Sequence, residues 1–200
     1  MMTVKKMMPD YMKCVLVGAL LGTISKYLDT VAVDGSWQAD VFHYCSQILS
    51  RLGIWVLIAA MIAAYSKTII RAAINTFVFF AGVLISYYLY SAYLFGFFPT
   101  KYFMLWGSIA LLSPFLGSIV WLAKNHTRLA YILPALPMGL MLSLSLSIGA
   151  FYLDINYIDE LIMYAVLCVI FYKEPKQMAV SIVFSIVLAL LIEIISPYHF

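Results

Sequence analysis

The chain has 200 residues, 65% of them hydrophobic and 10% charged, with a net charge of +3. A soluble domain is roughly 45–50% apolar and about 25% charged, so these proportions exclude an ordinary soluble globule. They also leave no basic surface large enough to hold nucleic acid.

Lipid is the implied solvent. Spanning helices need about 20 mostly apolar residues, and the sequence offers seven such runs, near 12–32, 46–65, 70–92, 102–123, 129–151, 157–172 and 178–197. The expectation is therefore an all-α, polytopic integral membrane helix bundle in a single domain, 1–200, with seven transmembrane helices. The sixth run is short for a full crossing.

The first run follows "MMTVKKMMPDYMK", lysines ahead of an apolar stretch, as in a signal peptide. No A-x-A cleavage site follows, and Cys14 precedes the apolar run, away from where a lipobox would place it. It reads as an uncleaved first span. Cys14, Cys45 and Cys168 are far apart, without C-x-x-C spacing, and no disulfide framework is expected.

Basic residues set the orientation. With the N-terminus inside, the inner segments hold Lys5, Lys6, Lys13, Lys67, Arg71, Lys124, Arg128, Lys173 and Lys176, nine of the twelve Lys and Arg residues. Lys26, Arg51 and Lys101 fall outside. The bias alternates at every loop, so the N-terminus is expected inside and the C-terminus outside. Dropping the sixth span would move "YKEPKQ" to the outer side.

The inner turns "YSKTIIRAA", "LAKNHTRLA" and "YKEPKQMA" recur about every fifty residues. They read either as a threefold repeat or as ordinary positive-inside hairpins, and the sequence favours the second. Gly18 and Gly22 in "GALLG", and Ser113 and Gly117 in "SPFLG", carry the small-residue spacing that lets helices approach closely in lipid. Packing within the chain or a homodimer contact would each use it. Pro134 and Pro137 should kink or break the fifth helix, and in transporters broken helices often line a site. The run "SYYLYSAYLFGFFPTKYF" reads as an aromatic belt at the headgroups, with an aromatic cage for an organic cation as the alternative.

Catalytic patterns are missing. There is no G-x-S-x-G, no H-E-x-x-H and no Walker motif; the three histidines lie in separate segments, and every Asp is at or beyond a helix end. No enzyme, catalytic residue, metal site or cofactor is expected. What remains is a set of ionisable residues at the outer boundary: Lys26 and Asp29 at the end of the first helix, Arg51 at the second, and Glu193 near the end of the last. Charges there either snorkel to the headgroups or face a water cavity. These four are the candidate ligand-binding residues, and Lys26 is expected to point into the bundle and meet Asp29 or Glu193. Asn75, Ser86, and Ser143 with Ser147 on one helix face are the deeper polar positions, suited to interhelical hydrogen bonds.

The order "LGTISKYLD…W", "LGIWVLIAAMIAA", "RAAINTFVFFAGVLISYYL" and "WGSIALLSPFLGSIVW" resembles a family of small bacterial multi-pass membrane proteins classed as a domain of unknown function. The positions that carry the likeness are Trp55, Arg71, Gly82, Tyr87, Tyr88, Gly107 and Gly117, over about residues 18–150. The resemblance implies a bacterial inner membrane protein and brings no activity or catalytic residue with it.

Two functions fit these readings. The first is small-solute binding or transport through an outward-facing polar vestibule, in contact with membrane lipid and a small-molecule ligand. The alternative is a non-enzymatic partner subunit or sensor of a membrane complex, bound to another membrane protein or to a second copy of itself.

Overall fold

The computed structural model describes residues 10–32, 34–148 and 153–195. Its helices are α1 (Asp10–Leu28), α2 (Trp37–Ser50), α3 (Leu52–Ala64), α4 (Ile69–Phe95), α5 (Thr100–Asn125), α6 (Ala135–Ser145), α7 (Ile158–Phe171) and α8 (Pro175–Ile195). A 3-10 turn at Leu129–Tyr131 precedes α6. Strands β1 (Leu146–Ile148) and β2 (Leu153–Ile155) pair antiparallel between α6 and α7. The fold is all-α apart from this small hairpin. α1, α4, α5 and α8 are long and apolar enough to cross a membrane, and the bent α2–α3 pair raises the number to five if it forms one broken span.

The expected second span, 46–65, is interrupted. Arg51 is extended (φ −93°, ψ 155°), ending α2 and starting α3, and the two helices meet at 66°. Trp55 Nε1 donates across the break to the Leu49 carbonyl at 2.8 Å, satisfying one of the acceptors that a helix end leaves without a partner.

The expected fifth span, 129–151, is also broken. Pro134 has no N–H and sits immediately before α6, where first-turn N–H groups have no helical partner anyway. α6 ends at Ser145, and Ser147 lies in β1. Ser143 and Ser147 therefore do not share a helix face, contrary to their spacing; Ser147 instead exchanges hydrogen bonds with Asn156. The alternation "LSLSLSI" carries the strand period that an apolar-run reading overlooks. The end of this span at 149–151, and that of the seventh at 196–197, lie outside the described residues.

Close approach sets the helix order. A Cβ at Gly18 or Gly22 would overlap the carbonyl of Phe79 or Val83, and one at Gly82 would come within 2.6 Å of the Val15 carbonyl oxygen. The "GALLG" spacing thus serves packing inside the chain. The offset is constant along the contact, so α1 and α4 run parallel. Arg71 meets Asp10 at 3.7 Å near their starts, and Tyr87 meets Asp29 near their ends. α5 runs antiparallel to α4: the Tyr88 and Phe103 rings lie 5.3 Å apart, and Gly117 faces Thr76. α3 and α7 are parallel, with Gly53 against Glu160 at one end. At the other end, Lys124 and Asn125 donate to the Ile170 and Ala64 carbonyls. α6 and α8 are parallel too, through Ala130 with Gln177 and Gly139 with Leu188.

These contacts gather the turns near 66–71, 124–131 and 170–177 at one end of the bundle. Those near 26–29, 46–51, 87–103 and 157–160 meet at the other. The largest buried cluster, including Ala63, Ala72, Ala123, Met138, Met141, Leu167 and Phe171, joins α3 to α8. Asn75 donates to Ser66 Oγ at 3.1 Å, a polar link between segments, whereas Ser86 bonds the Val83 carbonyl of its own helix.

Candidate functional site

Lys26 sits in the last turn of α1 and is 8% exposed. Its ammonium lies 3.8 Å from Asp29 Oδ2, 5.0 Å from the Tyr87 ring centre and 4.9 Å from that of Phe95. Lys26 therefore points into the bundle and meets the acid on its own helix. Asp29 also accepts hydrogen bonds from Tyr87 Oη at 2.6 Å and Ser46 Oγ at 2.9 Å, which ties α1 to α4 and α2.

Beside Lys26 lies a cavity of about 370 Å³. Its floor is buried: Ser25, Lys26, Trp55, Val83, Tyr88 and Ser91. Its rim carries the exposed rings of Phe95, Phe97 and Tyr102, with Tyr87 and Trp106 between. Among the described residues, Lys26 is the one charged side chain in this lining. The wall is more aromatic than the expected polar vestibule. The run from Tyr87 to Tyr102, read as a belt, is folded partly into the cavity and partly outward, with Tyr93 83% exposed. Lys26 itself occupies the ring faces that a cationic guest would use.

Arg51 is drawn elsewhere. It forms an ion pair with Asp159 and lies 3.8 Å from Glu160 Oε1, with its guanidinium 4.0 Å from the Tyr157 ring centre. Glu160 is 2% exposed, and among the described residues neither its Oε2 nor Arg51 Nε has a hydrogen-bond partner. Asp159 and Glu160 were not singled out by the sequence, because both looked like loop acids at a helix start. The signal that the sequence does carry is Arg51 itself, a base within an otherwise apolar run that needs acids at its own depth.

Glu193 is half-buried on α8, which packs chiefly on α6. Lys26 and Asp29 thus belong together, whereas Arg51 joins the acids of α7. Nor does the proline-broken segment border the main cavity: Pro137 lines a second, apolar space of about 160 Å³ between α3, α4, α5 and α6. The break beside the main cavity is the one between α2 and α3, through Leu49, Ser50 and Trp55.

Hydrogen bonds from Ser36 hold the Asp34 carboxyl below its usual range. Burial, and then the like charge of Lys124, hold the Lys173 ammonium below its usual pKa. Among the described residues, no three His, Cys, Asp or Glu side chains are grouped to hold a metal ion. Comparison of the chain with protein-family models, curated proteins and solved structures finds no match.

Proposed function

We propose that the protein is a non-enzymatic, multi-pass protein of the bacterial cytoplasmic membrane that binds, and in one mode of action transports, a small solute in the cavity beside Lys26. The observation that carries this reading is the cavity: about 370 Å³, aromatic-walled, with one buried ammonium. Ligand sites are typically apolar clefts of about 300–1,000 Å³ with a few placed polar groups.

Seven crossings with the N-terminus inside remain the proposed topology. The parallel pairing of α1 with α4 and of α6 with α8 supports it, because parallel neighbours require a return passage between them. α3, and α7 with its 14 residues, supply those returns. α7 is only about 21 Å long at 1.5 Å per residue, so it crosses only where the bilayer is thin or the hairpin extends it. Among the described residues, Lys13, Lys67, Arg71, Lys124, Arg128, Lys173 and Lys176 belong to the inner end in this arrangement, and the cavity, with Lys26, lies at the other, outer end.

The test is a thermal-shift screen of purified protein against small amphipathic solutes, repeated with Ser91→Leu, which fills the cavity floor. Binding to the wild type that Ser91→Leu abolishes supports the reading. Shifts that survive the substitution, or no shifts from any solute, would remove it. Uptake into proteoliposomes then separates transport from binding.

A further inference from the structure

Resting on the cavity as a binding site, we infer that its ligand is a monoanion with an apolar body, held by Lys26 at its head and by the aromatic wall along its length. Three observations converge. The Lys26 side chain is only 11% exposed, yet its ammonium donates no hydrogen bond among the described residues, its nearest carboxylate oxygen being 3.8 Å away. An ammonium carries three donors, and Lys26 brings them to the cavity lining, where a bound acceptor can meet them.

Asp29, the natural acceptor, is already held by Tyr87 and Ser46. It neutralises Lys26 at a distance without satisfying it. The hydroxyls of Ser25 and Ser91, 3% and 4% exposed, line the same cavity and take part in no hydrogen bond among the described residues. One ammonium and two hydroxyls on an otherwise aromatic floor suit a carboxylate or a phosphate ester with one negative charge.

A cationic guest is disfavoured. Ring faces attract cations, but Lys26 covers two of them, and a second positive charge beside it would be repelled at low dielectric. The apolar body follows from the wall, where Trp55, Tyr88 and Trp106 offer area and few polar atoms. Such an anion can come from a free amphipathic acid or from a lipid headgroup.

Trp55 and Trp106 make the test direct, since bromine quenches tryptophan fluorescence. Protein in neutral phosphatidylcholine nanodiscs is titrated with ω-bromodecanoate, ω-bromodecanol and ω-bromodecyltrimethylammonium. The expected result is saturable quenching by the acid, at least tenfold weaker quenching by the alcohol, and none that saturates with the ammonium compound. Lys26→Met should reduce the acid's affinity to that of the alcohol, and Lys26→Arg should restore most of it.

Equal affinity for acid and alcohol, with Ser91→Leu abolishing both, would overturn the anion inference and keep the cavity reading. No saturable quenching by any probe would overturn both. A parallel arm uses brominated phosphatidylglycerol in the nanodisc. Quenching by that lipid, with displacement of the acid, supports the anion class and assigns its source to a headgroup; acid binding that the lipid leaves unchanged supports it and assigns a free solute.

Discussion

Gly53 and Glu160 touch across α3 and α7: a Cβ at residue 53 would lie 2.9 Å from both Cγ and Oε1 of the glutamate. Glu160 has no room to retreat, since it is 2% exposed. In an open helix Gly→Ala gains about 1 kcal/mol by propensity, but overpacking costs roughly 1–3 kcal/mol. Gly53→Ala is therefore expected to lower the unfolding temperature in detergent. Combining it with Glu160→Ala should remove most of that additional loss, as a double-mutant cycle would read. A raised melting temperature for Gly53→Ala alone would show that the two chains slide apart freely.

Arg51 holds two acids at the same junction. Removing one partner from a buried ion pair costs roughly 3–5 kcal/mol in soluble proteins, while replacing all members can be nearly neutral. Arg51→Met should be strongly destabilising, and adding Asp159→Asn with Glu160→Gln should recover much of the loss. The check is thermal unfolding of the single and triple variants. Equal instability of both would make Arg51 a packing residue, valued for its stem.

The small-residue seam between α1 and α4 gives a matched comparison. Gly18→Ala places a methyl group into backbone that cannot move aside, whereas a Cβ at Gly107 on α5 would meet nothing within 4 Å. Gly18→Ala should cost roughly 1–3 kcal/mol, and Gly107→Ala should be neutral or stabilising. The two unfolding temperatures decide it, and equal shifts would refute the α1–α4 contact.

Asp29 sets the charge that Lys26 presents to the cavity. Asp29→Asn is expected to tighten binding of the anionic probe several-fold, because the opposing charge at 3.8 Å is gone. Tyr87→Phe removes the 2.6 Å hydrogen bond to Asp29 and should destabilise by about 1.5–3 kcal/mol, the range for bonds to charged groups. Fluorescence titration and melting measure these two effects separately.

The proposed topology has its own test. In a background without native cysteines, cysteine at Lys67 or Lys173 should resist an impermeant thiol reagent in intact cells and react after permeabilisation. Cysteine at Ser36 or Asn156 should label directly. External labelling at 173 would place the turn before α8 on the outer side and remove α7 as a crossing.

Composition and apolar run length determined on their own that this chain is built of lipid-compatible helices. The long spans were legible because a helix in lipid satisfies its own backbone and is read from its residues alone. α4 and α5 therefore match the expected limits within a few residues. Small residues at Gly18, Gly22 and Gly117 announced close contacts for the same local reason, and Pro134 announced a break.

Only the tertiary structure decided which surfaces met. Hydropathy averages over a window, so it read through the extended Arg51 and the "LSLSLSI" alternation, and joined what the fold separates. Charge pairing depends on position in space, so the sequence offered Lys26 a choice of Asp29 or Glu193 and left Arg51 without its acids on α7. The cavity was least legible, because its wall combines residues from α1 to α5. Apart from Lys26, they look, taken alone, like belt aromatics or packing residues.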